Sequence, residues 1–145
     1  MRDLILPYLE EFDCRISASG IRYGSVAYIA FGRAREKPHK GRPSTFHYPV
    51  EIEMGSDYWT IERNGEILLD SCFSDVDRAR EKLQVLNGRK LCDIDIQASY
   101  GVFELDDGIS WISSIISRPA SGYLYSFQAE NGPTWETLDG VSVQQ

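Results

Sequence analysis

Alternation of apolar and polar residues, cut by tight-turn dipeptides, is the feature that most limits what this chain can become. Val50, Ile52 and Met54 alternate with Glu51 and Glu53, and Trp59 and Ile61 alternate with Thr60 and Glu62. Cys92, Ile94, Ile96 and Ala98 alternate with Asp93, Asp95 and Gln97. Successive side chains of a strand point to opposite faces, so each run predicts a strand with one buried face. Asn64-Gly65 and Asp107-Gly108 fall between such runs. Both residues of each pair tolerate positive φ, which a two-residue hairpin requires. Asn131-Gly132-Pro133 is a third turn signal.

Other strands are expected over Cys14–Ser19, Ser25–Phe31, Val102–Asp106, Ile109–Ile116, Tyr123–Phe127 and Thr134–Leu138, with a turn at Tyr100-Gly101 and a loop over Ser117–Gly122. Two segments carry helical spacing instead. Leu4, Ile5, Tyr8, Leu9 and Phe12 make one apolar stripe over Asp3–Phe12. Val76, Ala79, Leu83 and Leu86 make another over Ser74–Asn87, with Ser74 as the expected N-cap and Asn87-Gly88 as the stop. Pro38, Gly41, Pro43 and Pro49 predict a long basic loop over residues 33–49. The polar tail 139–145 is expected to fray. The reading is one α+β domain over residues 1–145. It is a mostly antiparallel sheet of seven to eight strands, with an N-terminal helix and the 74–87 helix packed on a face.

With 145 residues, 42% of them hydrophobic, the chain can bury a core without staples. Cys14, Cys72 and Cys92 lack the spacing of a zinc or redox motif and read as small buried apolar side chains in a reducing compartment. Only three apolar residues separate Asp3 from Pro7, which does not read as a signal peptide. The longest apolar run, Val26–Phe31, is too short to span a bilayer. A cytoplasmic, non-membrane protein is expected.

Signals of chemistry are sparse. His39 and His47 both fall in the basic stretch, without a ligand-like partner three or four residues away. No nucleophile elbow and no glycine-rich phosphate loop occurs. No catalytic residue, metal or cofactor is therefore expected. Charge is more informative. The net charge is −7, but residues 1–45 hold eight Lys/Arg against five Asp/Glu, while residues 46–145 hold seven against seventeen. An acidic body disfavours nucleic acid and suits a basic partner.

A turn at Tyr100-Gly101 would set Gln97 opposite Glu104 and Asp95 opposite Asp106, with Asp93 on the same face. Like charges directly opposite each other are destabilising. Either the register differs, or the charges are solvated, or Asp93, Asp95, Glu104 and Asp106 meet a cation or a basic partner. Arg33, Arg35, Lys37, Lys40 and Arg42 leave a similar choice between a solvated loop and a contact with RNA, a phosphate-bearing ligand or the acidic face of a second copy. No aromatic ring lies inside that stretch to stack bases, since Phe46 and Tyr48 follow it.

Several segments together resemble a group of small, uncharacterised bacterial proteins. These are the strand Gly24-Ser-Val-Ala-Tyr-Ile-Ala-Phe-Gly32, the strand Tyr58-Trp59-Thr-Ile-Glu-Arg63, the helix exit Leu86-Asn-Gly-Arg-Lys-Leu91 and the closing Glu130-Asn-Gly132. Small acidic proteins of this style are also similar to immunity proteins of bacterial toxin systems. That likeness implies a chain that binds and blocks a toxin, often a basic nuclease, and carries no catalytic residue over. The expected function is a non-enzymatic protein-binding module. The alternatives are a ligand-binding protein or enzyme with a pocket between helix and sheet, and a homo-oligomer joined through the basic loop and acidic face.

Overall fold

A computed structural model describes residues 2–55, 58–97, 100–114, 125–130, 132, 134–138 and 141–144. Helix α1 (Arg2–Glu10) leads through Asp13 and Cys14, both with positive φ, into β1 (Ile16–Arg22) and β2 (Val26–Phe31). There follow β3 (Arg35–His39), β4 (Arg42–His47), β5 (Val50–Met54), β6 (Tyr58–Arg63) and β7 (Glu66–Asp70). Helix α2 (Val76–Leu83) tightens into a 3₁₀ turn, Gln84–Leu86. The chain continues through β8 (Leu91–Ile96), β9 (Tyr100–Leu105), β10 (Ile109–Ser114), β11 (Tyr125–Ala129), β12 (Thr134–Leu138) and β13 (Val141–Gln144).

The antiparallel α+β expectation holds, but one sheet of seven or eight strands becomes thirteen strands in three sheets among the described residues. The first sheet runs β1-β2-β5-β11-β12-β13 and the second β7-β6-β10-β9-β8; β3 and β4 form a separate ribbon. Alternation shows that each strand buries one face but not what covers it. Here the two large sheets cover each other. Phe103 of the second stacks on Tyr125 of the first, with ring centroids 4.3 Å apart. Trp59 and Trp111 pack 5.1 Å apart in the same core, which also holds Ile29, Ile52 and Phe127. Gly101 makes the ring stack possible, since a Cβ there would sit 2.6 Å from the Tyr125 ring. It is a buried strand residue and not the expected turn. Gln97 N–H donates to the Tyr100 carbonyl at 2.8 Å, and residues 98 and 99 lie outside the described residues.

One corner ties the sheets together. Arg15 bridges to Lys90, Ile16 N–H donates to the Arg89 carbonyl at 2.9 Å, and Gly88 N–H donates to the Ile16 carbonyl at 2.7 Å. Helix α2 does not lie on one face but contacts β1 of the first sheet and β7 of the second. Its stripe is as expected, with Ala79, Leu83 and Leu86 buried. Its N-cap is Asp75 instead of Ser74, and the Asp75 carboxylate accepts from Arg78 N–H at 3.1 Å. Asn64-Gly65 and Asp107-Gly108 both take positive φ, as the hairpin reading requires. Of the third signal, Asn131 and Pro133 lie outside the described residues, as does the 117–122 loop.

Three other expectations fail. The polar tail contributes β13, which pairs along β12; Val141 and Val143 do alternate with Ser142 and Gln144. Cys72 and Cys92 are exposed and only Cys14 is partly covered, where burial pushes its thiol up from the ordinary value. The long loop is the β3–β4 ribbon. Prolines are tolerated in it because both strands are edges, and the register shifts between Lys37 and His39, around Pro38. No helix among the described residues is long and apolar enough to cross a membrane.

Candidate functional site

Two surfaces carry the charged chemistry. The first lies on the outer face of the first sheet. Val50, Ile52 and Met54 of β5 point into the core, so Glu51 and Glu53 point outward. Pairing with β2 and β11 sets Ala30 and Gln128 beside Glu51, and Tyr28 and Ser126 beside Glu53. Arg22, at the end of β1, reaches across this face. It donates to both Glu51 carboxylate oxygens at 2.6 and 2.8 Å and to Glu53 at 3.3 Å. The guanidinium lies 4.0 Å over the Tyr28 ring, so one cation is held by two carboxylates and an aromatic face. Glu51 is only 8% exposed. The Glu51 hydrogen bond drives the Arg22 guanidinium further up from its ordinary value, and burial pushes the Tyr28 phenol up.

The ribbon hangs over this floor. None of the residues in β3 or β4 is buried. Arg35 pairs with His47, Lys37 with Thr45 and His39 with Arg42. Nε2 of His39 and Nε2 of His47 both meet the Thr45 hydroxyl, at 2.7 and 3.1 Å. Thr45 has one proton to give, so at most one imidazole accepts from it and at least one donates to it. Among the described residues no carboxylate orients either ring. Between ribbon and floor run two cavities of about 600 and about 570 Å³, which share Lys37, His47, Glu51 and Gln128. A third, of about 690 Å³, continues past the Arg35–Glu130 ion pair to Tyr8 and Phe12.

The second surface is the outer face of the second sheet. One row of paired residues there is Asp93, Glu104, Ser110 and Glu62; the next is Asp95, Val102, Ile112, Thr60 and Asp70. The rows contain no Lys or Arg. The register differs from the expected one, so Asp93 faces Glu104 and Asp95 faces Val102. Asp106 leaves the face altogether, and its carboxylate accepts from Lys90 N–H at 3.2 Å.

The basic residues of the sequence disperse. Lys37 and Arg42 line the groove, Arg35 pairs with Glu130, Arg33 lines the third cavity, and Lys40 is exposed at the ribbon tip. Arg22, Tyr28, Glu51 and Glu53 escaped sequence reasoning. The available signal was the pair of glutamates on the polar side of a strand with apolar neighbours, but nothing in the sequence places Arg22 over them. Among the described residues no group of three or more His, Cys, Asp or Glu side chains is placed to hold a metal. No family model, curated protein or solved structure matches the chain.

Proposed function

We propose that this chain is a non-catalytic binding protein whose second sheet presents its acidic outer face to a basic protein. The observation that carries the reading is the pair of rows holding Glu62, Asp70, Asp93, Asp95 and Glu104 with no Lys or Arg among them. Asp95 and Glu104 are exposed, and no ion pair among the described residues engages either. Charge of one sign across an exposed face accelerates encounter with the opposite sign and repels other acidic proteins. In its finer form the partner is a toxin that the chain blocks, as an immunity-type protein does.

The test is a low-salt pull-down with the wild type and with an Asp95→Lys, Glu104→Lys variant. A stoichiometric basic protein, released by salt and lost from the variant, is the expected result. A partner retained equally by the variant overturns the assignment of this face.

A further inference from the structure

We infer that the groove beneath the ribbon binds a phosphate monoester that carries a planar ring, a nucleoside monophosphate being the simplest form. The groove is distinct from the acidic face, and this proposal stands without it.

The cavity of about 570 Å³ has the size of an ordinary small-molecule site. Its ribbon wall supplies Lys37, His39, Arg42, Thr45 and His47, a dense set of hydrogen-bond donors. No ion pair among the described residues engages Lys37 or Arg42. Arg22 bridges Glu51 and Glu53 and offsets one of their two charges, so the lining as a whole, Arg22, Lys37 and Arg42 against Glu51 and Glu53, keeps a positive excess. An anion in the groove therefore meets a lining with a small surplus of positive charge and several hydrogen-bond donors. A phosphate takes several such donors at once, and charge-assisted bonds are the strong ones.

A separate observation points to the ring. Tyr23, 87% exposed, and Phe46, 60% exposed, are the two most exposed large hydrophobic side chains among the described residues. They belong to different hairpins, yet both line this same cavity. Two unburied rings at the mouth of a cationic groove offer faces on which a planar heterocycle stacks. The rest of the molecule decides against a polymer. A nucleic-acid strand would run out of the groove over a body with seven basic against seventeen acidic residues in 46–145, whereas one phosphate group stays within reach of the ribbon.

Isothermal titration with adenosine monophosphate, inorganic phosphate, adenosine and a short single-stranded oligonucleotide tests the proposal. Saturable one-to-one binding of adenosine monophosphate is expected, tighter than that of phosphate or adenosine. The Lys37→Ala, Arg42→Ala variant should weaken it by about ten-fold or more, and Phe46→Ala by a few-fold. These side chains lie outside the core, and circular dichroism checks that each variant remains folded. Four results overturn the proposal: no saturable binding, binding unchanged in Lys37→Ala, Arg42→Ala, adenosine bound as tightly as its monophosphate, or the oligonucleotide bound more tightly than either.

Discussion

The outer faces of the two large sheets are both acidic, and they treat their acids in opposite ways. On the first sheet Glu51 and Glu53 are covered, and Arg22 bridges them with three hydrogen bonds, offsetting one of their two charges. On the second, Glu104 and Asp95 are exposed and Asp93 stands directly opposite Glu104. A covered carboxylate must have its counter-charge built in, because the uncompensated ion is costly away from water. An exposed one is screened by solvent and salt. The difference teaches where each face draws its counter-charge: one from its own chain, the other from outside.

Four measurements break or sharpen that contrast. The largest effect belongs to Arg22→Met, which leaves Glu51 and Glu53 facing each other without their cation. Because Arg22 keeps 26% of its side chain exposed, the loss should be about 2–3 kcal/mol in urea unfolding, at or below the low end for a broken buried pair. A loss below about 0.5 kcal/mol would make the two faces equivalent. Gly20→Ala comes next. A Cβ there would meet the Tyr28 ring at 2.9 Å, so the ring must move from beneath Arg22, at about 1–2 kcal/mol by the same assay. No measurable cost would show that the ring is free to swing.

Charge changes on the second sheet should run the other way. Asp95→Lys with Glu104→Lys relieves repulsion between paired strands, so stability should hold or rise by about 0.5 kcal/mol while association with the proposed basic partner slows. Destabilisation by more than about 1 kcal/mol would mean that the face is held by contacts within the chain. The smallest effect is chemical. Burial holds the Cys14 thiol up, so its thiolate is scarcer. Timed iodoacetamide labelling read by mass spectrometry should modify the exposed Cys72 and Cys92 several-fold sooner. Equal rates would show that the corner between β1 and β8 opens readily.

Much of the fold was legible because it is local. Val50-Glu-Ile-Glu-Met54 and Asn64-Gly65 state their strand and turn without help from the rest of the chain. The stripe of Ala79, Leu83 and Leu86 states its helix equally well. What failed depended on partners far away in sequence. Gly101 looks like a turn residue until Tyr125 is placed against it. Pro38 and Pro43 look like strand breakers until the ribbon is seen to have two free edges. Alternation alone places Asp93, Asp95 and Glu104 on one strand face, whereas Asp106 was set there by the wrong register and leaves it. The Arg22 cluster was invisible, since residues 22 and 51 are joined only by the pairing of β1, β2 and β5.

The ribbon contributes no buried side chain, and that frees its sequence from the packing of the fold. Substitutions between residues 35 and 47 do not have to preserve a packed interior, so the segment is open to rapid divergence and to grafting of foreign hairpins. The sheets beneath would keep their shape through such changes. The specificity proposed for the groove could therefore be rewritten at the ribbon without redesigning the body that carries it.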